Sequence, residues 1–386
     1  MLLEFTCTNY KSIREEVQFS ALAGRDETHF PHTHAVGGMH VLRAAVIYGP
    51  NGSGKSNVLD ALAALCRFIG GEPVCQVPHK LEPDQPSRFA LQFFVGSTRY
   101  AYGLSLHREA VTEEYLYHFP RGRQVKVFER TNTALMPGSR YTSALAACGA
   151  AVSPSAPVLA TPMANTVPAL ADARRFLLQD LVFFQPDERQ SLDTLLDDAI
   201  AILHTDADTA RTVGEILGLL GTGIRDIRPN GETASIVYDS FTTDLRREES
   251  TGIRRLIGLL CPLARMLREG KTLICDEPET NLHETVVHAL LNAVCHAAPD
   301  SRTQLIFATH STALLDLELL RRDQIWFTEL RPEDRSTDLY SLAEIRGIRQ
   351  DEDIRLGYLS GKYGALPSLG RDILSHAERE EVKRDG

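Results

Sequence analysis

The chain has 386 residues, 43% of them apolar and 24% charged, enough for about two domains or one large α/β domain with insertions. Its formal net charge of −10 argues against a surface that is basic all over. No apolar run approaches the roughly 20 residues that cross a bilayer, and residues 1–5 bring in an acid where a signal peptide would be apolar. The seven cysteines form no C-x-x-C pair, so we expect buried free thiols, no membrane contact and a cytoplasmic location.

The first 48 residues have the pattern of strands and turns. We predict a strand at 2–8, a turn at 9–12 and a returning strand at 17–22. Residues 42–48, Leu-Arg-Ala-Ala-Val-Ile-Tyr, predict a short apolar strand. Apolar residues at helical spacing follow in 57–68, so a strand and a helix flank the eight residues between them.

Those eight residues, Gly-Pro-Asn-Gly-Ser-Gly-Lys-Ser, fill every fixed place of a phosphate-binding loop. Its glycines let backbone N–H groups surround phosphate oxygens, and the positive end of the following helix faces the same anions. Lys55 would reach the β- and γ-phosphates of a nucleoside triphosphate, and the Ser56 hydroxyl would bind Mg²⁺. The predicted nucleotide-binding residues are Gly49, Pro50, Asn51, Gly52, Ser53, Gly54, Lys55, Ser56 and Asn57.

The middle of the chain begins with predicted strands at 89–95, 99–106, 111–119 and 125–130. Residues 131–169 are rich in Ala, Ser, Thr and Pro, which favours either a flexible surface excursion or an Ala-rich helical start. From 170 to about 220 the pattern is helical, with a break near 184–186. Two basic clusters favour a solvated or phosphate-facing surface, and DNA contact through the first stays open: Arg121, Arg123, Lys126 and Arg130, then Arg246, Arg247, Arg254 and Arg255.

The second half predicts a hairpin at 224–240, a helix at about 251–268 and a strand at 272–275. A helix from about 283, a strand at 304–308 and a hairpin at 324–342 follow, and the last fifteen or so residues are charged. We find no internal repeat. The absence of sustained heptads between 57 and 250 argues against a long coiled-coil arm.

Five residues of this half are candidates for chemistry. Asp276, at the end of the strand 272–275, would hold the Mg²⁺ shell, and Glu277 would orient or deprotonate an attacking water. His310 follows the strand 304–308, and this position favours a catalytic role. Ser250 can cap the helix predicted at about 251–268, and Gly252 lets a phosphate approach its amide. Taken alone, these two residues fit an ordinary helix cap equally well.

The order of phosphate loop, Ser-x-Gly helix, Asp-Glu strand and strand-end histidine resembles the ABC-type ATPase superfamily. The chain is more narrowly similar to the SMC/RecF/OLD-like group, whose opening strand and turn match Phe-x-x-x-Asn-Tyr-Lys-Ser-Ile at 5–13. The resemblance covers the two ends of the chain and little of the middle. The signature reads Ser-Thr-Gly-Ile-Arg from residue 250, where transporters carry Ser-Gly-Gly-Gln, and this difference disfavours a transporter ATPase.

In that group two ATPase heads sandwich two nucleotides, so the resemblance implies a homodimer or larger homo-oligomer that binds ATP and Mg²⁺. It implies that a trans signature caps the γ-phosphate of the partner's ATP, that residues 279–283 contact the other head and that a switch histidine senses the γ-phosphate. The residues implied are, as catalytic, Glu277, His310 and Lys55; as trans signature, Ser250, Thr251 and Gly252; and as metal ligands, Ser56 and Asp276.

The predicted fold class is α/β, a P-loop NTPase of ABC-ATPase type with a mixed sheet, helices on both faces and an inserted helical or irregular subdomain. We divide the chain into four parts. They are an N-terminal ATPase lobe with the phosphate loop and a strand-rich subdomain (1–130), an inserted Ala-rich and helical subdomain (131–223), a C-terminal ATPase lobe with the signature, the Asp-Glu strand and the histidine (224–345), and a tail (346–386).

The tail run 358–367 is similar to tails of stand-alone members of the group, which often serve prokaryotic anti-phage or abortive-infection systems beside a separate effector. A loop packed on the ATPase head and a partner-binding role explain this run equally well. The leading hypothesis is an ATP-hydrolysing switch whose head pairing gates a nuclease or toxin. A RecF/SMC-like DNA-repair ATPase is the alternative, weakened by the acidic charge and the missing arm. A scaffold that holds ATP only as a structural ligand is a third, against which Glu277 counts.

Overall fold

The computed structural model describes residues 1–26, 28–73, 76–146, 152–184, 191–280, 282–349 and 351–366. Its strands, in chain order, are β1 (Leu2–Thr8), β2 (Val17–Ser20), β3 (Thr33–Val36), β4 (Met39–Leu42), β5 (Ala44–Tyr48), β6 (Ser87–Val95), β7 (Thr98–His107), β8 (Ala110–Phe119), β9 (Val125–Thr131), β10 (Ala134–Pro137), β11 (Leu181–Phe184), β12 (Asp226–Asn230), β13 (Thr233–Val237), β14 (Thr242–Asp244), β15 (Thr272–Asp276), β16 (Gln304–Ala308), β17 (Ile325–Leu330) and β18 (Thr337–Ser341). Its α-helices are α1 (Lys55–Gly70), α2 (Thr142–Leu145), α3 (Pro168–Arg175), α4 (Leu192–Thr205), α5 (Ala207–Leu219), α6 (Thr251–Arg268), α7 (Glu284–Cys295) and α8 (Ile354–Leu359).

A central sheet of six strands carries the candidate site. Its order is β11-β15-β16-β5-β17-β18, and every neighbouring pair is parallel except β17 with β18. All five positions of β5 are buried, because both faces of this strand are covered. Asp276 pairs with Ala308, and Ala308 pairs with Ile47. The carboxyl ends of β5, β15 and β16 therefore meet at one edge of the sheet.

Two hydrophobic cores cover the faces of this sheet. The first lies against an antiparallel sheet of order β10-β9-β8-β7-β6-β1-β2, and Val58 and Leu62 of α1 and Leu170 of α3 are buried in it. The second covers the opposite face and takes its helical residues mainly from α4 to α7. Helices therefore contact both faces of a mixed sheet, and the predicted α/β fold class is confirmed.

One predicted element is wrong. Residues 181–184, expected to continue a helix, form β11 and pair in parallel with β15. A short apolar run of this length fits a helix and a strand equally by periodicity, and pairing with a distant strand decides between them. Of the break predicted at 184–186, residues 185 and 186 lie outside the described residues.

Residues 131–223, predicted as an inserted helical subdomain, contribute to both sheets. β10 extends the antiparallel sheet and β11 forms an edge of the central sheet, while α4 and α5 pack with α6 in the second core. The four-part division of the chain stays a prediction.

The described part of the tail packs on the central sheet. The ring of Tyr358 stacks on Phe327 of β17 with 5.5 Å between centroids, and Tyr363 is also buried. Tyr358, Tyr363 and Ala365 of the run 358–367 are therefore buried on the head, whereas residues 359–362 are exposed and a partner-binding role for them stays a prediction. Residue 367 and the charged end of the chain lie outside the described residues.

Five cysteines lie in described segments, and all five are free and buried, as predicted. Burial raises the pKa of the Cys66, Cys261, Cys275 and Cys295 thiols to about 12. Cys75 and Cys148 lie outside the described residues. Among the described helices, none combines the length and the apolarity that crossing a bilayer requires.

Arg130, a member of the first basic cluster, is not available to DNA. Its side chain is fully buried, 3.2 Å from the carboxylate of Glu114, and donates to the backbone carbonyls of Ser153 and Ala156. Glu114 also accepts a hydrogen bond from the backbone N–H of Val158 at 2.8 Å. The pair ties residues 153–158 to β8 and β9, so Arg130 cannot take part in DNA contact through the first cluster, and contact through the other members of that cluster stays a prediction.

We expect Glu114→Ala to lower the free energy of unfolding by about 3–5 kcal/mol, since it leaves the buried Arg130 guanidinium without a counter-charge. Urea unfolding followed by circular dichroism measures this. The matched control is Glu269→Ala, which breaks the exposed pair with Arg265 one helical turn away and costs about 0.5 kcal/mol or less. Equal losses in the two variants would contradict this assignment.

Candidate nucleotide site

The phosphate-binding loop lies between the end of β5 at Tyr48 and the start of α1 at Lys55, as predicted. Two of its glycines are required by close approach. A Cβ on Gly49 would lie 2.4 Å from Oγ1 of Thr328, and a Cβ on Gly54 would lie 2.0 Å from Oγ1 of Thr337. Gly54 also has φ of 104°, in the left-handed region that favours glycine.

Threonines of β17 and β18 hold this loop in place. Thr328 Oγ1 lies 2.6 Å from Ser53 Oγ, and Thr337 Oγ1 donates to the backbone carbonyl of Ser53 at 3.0 Å. On the outer side, Asn57 donates to Ser12 Oγ at 2.6 Å. The turn at 9–12 thus contacts the start of α1. Sequence reasoning found the hairpin 324–342 but did not connect its threonines to the loop.

Lys55 is buried at the mouth of the loop. Its ammonium group donates to the carbonyls of Gly49 at 2.9 Å and Pro50 at 3.3 Å, and lies 3.1 Å from Nε2 of His310. Burial lowers the pKa of Lys55, and the nearby carboxylates oppose this shift. The loop carbonyls therefore hold the lysine where phosphate oxygens would otherwise accept its hydrogen bonds.

Asp276 ends β15 close to the loop, and the neighbouring Ser56 side chain favours its charged form. Its Oδ1 atom is buried without a hydrogen-bond partner among the described residues. Burial raises the pKa of Asp276, since it disfavours the charged carboxylate. A free carboxylate oxygen beside a hydroxyl suits a hard cation with oxygen ligands, so these two residues fit Mg²⁺.

No described group of three or more His, Cys, Asp or Glu residues could hold a metal ion alone. This is compatible with Mg²⁺ bound to ATP, because Mg²⁺ usually takes one or two protein oxygens and fills its shell with phosphate and water.

Glu277 and His310 meet beside Lys55. Nε2 of His310 lies 2.9 Å from Oε1 of Glu277, and both side chains are partly exposed. Nε2 cannot accept from Lys55 and donate to Glu277 at once. Nδ1 also lies 3.4 Å from the Lys55 ammonium, so the tautomer that carries its proton on Nε2 can donate to Glu277 and accept from Lys55 through Nδ1. Glu277 has φ of 47°, a strained conformation for this residue that costs on the order of 1–3 kcal/mol and concentrates at functional sites. A hydrogen bond from its N–H to the carbonyl of Ala308 holds it there.

Sequence reasoning placed Glu279 in a loop toward a second head, but the structure points its carboxylate inward. Oε1 of Glu279 accepts hydrogen bonds from Thr309 Oγ1 at 2.6 Å and from the backbone N–H of His310 at 2.7 Å. Its position three residues after Asp276 is the only sequence signal for this contact. Residue 281 of the predicted contact loop lies outside the described residues.

The predicted trans signature lies apart from this cluster. Ser250 caps α6 by accepting the N–H of Ile253 at 3.2 Å, and Ser250, Thr251 and Gly252 are all exposed. No hydrogen bond or ion pair among the described residues joins residues 250–252 to the cluster of Lys55, Glu277 and His310. The structure therefore brings together the loop, the acids and the histidine, and leaves the signature outside.

The fold and this edge of the sheet define the class of the protein as a P-loop NTPase, with a phosphate loop between a central strand and a helix and an Asp-Glu pair at the end of β15 in the same sheet. A family described as "AAA domain, putative AbiEii toxin, Type IV TA system" matches residues 44–134 and 184–316. The match covers more than half of the chain, which belongs to this family of AAA-type ATPases. No curated protein matches the chain significantly.

Solved structures similar to the chain include SMC heads. The SMC head domain from Thermotoga maritima is 17% identical with a TM-score of 0.47, covering 88% of this chain and 98% of its own. An SmcHead bound to the C-winged helix domain of ScpA is 15% identical with a TM-score of 0.41, covering 88% and 97%. An Smc head domain with an extended coiled coil, bound to the C-terminal domain of ScpA derived from Pyrococcus furiosus, is 14% identical with a TM-score of 0.43, covering 88% and 96%.

Proposed function

We propose that the protein is an ATP-hydrolysing switch in anti-phage defence, whose heads pair across bound ATP and whose hydrolysis reopens them to gate a separate nuclease or toxin. The observation that carries this proposal is the cluster of Lys55, Glu277 and His310 beside the phosphate-binding loop. His310 lies within 3.1 Å of both other side chains. A protein that kept ATP only as a structural ligand would not need a carboxylate where water attacks the γ-phosphate.

The side chains of the cluster divide the reaction between them. Lys55 exchanges the loop carbonyls for β- and γ-phosphate oxygens, which are stronger acceptors for an ammonium group. Glu277 takes a proton from the water that attacks the γ-phosphorus, and the bond to the β–γ bridging oxygen breaks to leave ADP and phosphate. His310 donates to the γ-phosphate and loses this partner when phosphate leaves. Ser56 and Asp276 would hold Mg²⁺, which would supply positive charge to the phosphate oxygens when bound.

A second copy of the chain would complete this site. The loop is open at Asn51 and Gly52, which are exposed, and the N-terminus of α6 presents Ser250 and Gly252 to solvent. Backbone N–H groups at a helix N-terminus favour phosphate oxygens. Pairing two heads would place the α6 N-terminus of one against the γ-phosphate of the other, so differential contact with ATP and ADP drives opening and closing.

The defence role is supported by the family description, whose words name a toxin and a toxin–antitoxin system. An ATPase of this family acting beside a toxic effector is the arrangement we propose. The five described cysteines are free and buried, as is typical of proteins in reducing compartments, and we place the protein in the cytoplasm.

A mixing experiment tests the paired site. Lys55→Ala and Ser250→Arg should each abolish ATP hydrolysis alone, the first by removing the phosphate-binding lysine and the second by blocking the opposite head. A mixed dimer retains one intact site, built from the loop of the Ser250→Arg chain and the signature of the Lys55→Ala chain. An equal mixture should therefore recover turnover that neither variant shows alone, up to half that of a wild-type dimer for each mixed dimer, which holds one working site of two.

The control mixes Lys55→Ala with Glu277→Gln, two variants that damage the same side of the interface. In their mixed dimer one site carries each change, so this mixture should stay inactive. Recovery of turnover in both mixtures would contradict pairing through α6. So would recovery in neither mixture if Ser250→Arg alone hydrolyses ATP normally. Turnover stimulated by DNA, with a steep salt dependence, would instead favour the RecF/SMC-like alternative.

A further inference from the structure

A carboxylate that the proposed mechanism does not use holds the switch histidine. Glu279 follows β15, whereas Thr309 and His310 follow β16. Oε1 of Glu279 accepts the hydroxyl of Thr309 at 2.6 Å and the backbone N–H of His310 at 2.7 Å. Both bonds are charge-assisted and therefore stronger than bonds between neutral groups. One oxygen atom thus ties the loop after β15 to the loop after β16.

These two bonds connect to the nucleotide site on both sides. The backbone N–H of Thr309 donates to the carbonyl of Ile47 at 3.0 Å, one residue before the end of β5. The side chain of His310 lies 3.1 Å from Lys55 and 2.9 Å from Glu277. The backbone of His310 is therefore fixed by Glu279, while its imidazole faces the two groups that handle the γ-phosphate and the water.

The second oxygen of Glu279 argues against a purely structural role. Oε2 is buried and has no hydrogen-bond partner among the described residues. A buried polar atom without a partner costs about 1–3 kcal/mol. A side chain present only to join two loops would satisfy both of its oxygens. Glu279 thus leaves Oε2 unpaired, at a cost in stability, while Oε1 accepts from the backbone of His310.

We propose that Glu279 is a positioning residue that aims His310 at the γ-phosphate, so that the discrimination between ATP and ADP depends on it. This inference rests on the proposed function, because it gives His310 the role of γ-phosphate sensor. Glu279 touches neither nucleotide nor water in this account. It acts by fixing the orientation of His310.

The test compares variants that differ in which of the two hydrogen bonds to residue 279 they can form. Glu279→Ala removes both bonds and should reduce the preference for a fluorescent ATP analogue over the matching ADP analogue by at least about tenfold, roughly the value of one charged hydrogen bond. Thr309→Val keeps the shape and removes one donor, so its loss should be about threefold. Glu279→Gln keeps an acceptor oxygen and should preserve most of the preference. Thermal unfolding is recorded in parallel to confirm that each variant is folded.

A double-mutant cycle distinguishes positioning from a role in the fold. If Glu279 acts through His310, Glu279→Ala should change the ATP-to-ADP preference of a His310→Ala chain by less than about twofold, since coupled residues are not additive. Independent losses in the double variant, or an unchanged preference in Glu279→Ala, would overturn the inference. Analogue binding needs no turnover. A wild-type chain that prefers ATP without hydrolysing it would refute the proposed ATPase function and still allow this test.

Discussion

Glu277→Gln should reduce the turnover number for ATP by about 10²–10⁴-fold, the range for loss of a general base. The amide keeps the size of the side chain and a contact with His310, which in the wild type lies 2.9 Å from Oε1. It cannot take the proton of the attacking water. Steady-state phosphate release measures the loss, and the dissociation constant for ATP should change by no more than about threefold because the phosphate loop is intact.

Glu269→Gln is the matched control for this change, since it neutralises an exposed carboxylate of the pair with Arg265. Turnover of this variant should equal that of the wild type. If Glu277→Gln hydrolyses ATP at the wild-type rate, the water-activating residue is misassigned. If it loses ATP binding instead, Glu277 supports the shape of the site rather than the chemistry.

Gly54→Ala should weaken ATP binding by at least about 100-fold, because the added methyl group collides with a wall of the loop. Its Cβ would lie 2.0 Å from Oγ1 of Thr337, a distance that real Cβ atoms do not reach. Thr337 is buried and bonded to the carbonyl of Ser53, so it cannot turn away without releasing the loop. The start of α1 must shift, and the amides that face the phosphates shift with it. Equilibrium titration with a fluorescent ATP analogue measures the loss.

Gly52→Ala separates this collision from backbone strain. Gly52 also has positive φ, 78°, but a Cβ there meets nothing within 4 Å. Its substitution costs only the left-handed conformation, about 1 kcal/mol, or roughly a fivefold loss of affinity. Similar affinities of the two variants for the ATP analogue would mean that Thr337 moves away from the methyl group. In that case the β17–β18 hairpin does not hold the loop in place.

The sequence revealed the parts of the site that are written in contiguous residues. Gly49, Gly54 and Lys55 occupy fixed places of one motif, and an apolar strand marks Asp276 as a strand end. Parallel strands of one sheet bring such ends to the same edge, so Lys55, Asp276 and His310 could be expected near one another. Their roles in catalysis stay predictions.

The parts that sequence reasoning missed depend on contacts between distant segments. Thr328 and Thr337 resemble any threonines of a hairpin until the fold places them against Gly49 and Gly54. Glu279 resembles any acid after a strand until the fold places its carboxylate against Thr309 and His310. The prediction of a helix at 181–184 was wrong for a related reason, because a short apolar run fits either a helix or a strand. Tertiary pairing decided each of these cases.

The central claim is that ATP, and not ADP, brings two heads together. Light scattering coupled to gel filtration tests it most directly on Glu277→Gln, which should bind ATP and Mg²⁺ without consuming the nucleotide. We expect at least twice the mass of the ADP-bound protein when ATP is present, and a return to the lower mass when Ser250→Arg is added to the same chain. A mass that is the same with ATP and with ADP would contradict the account.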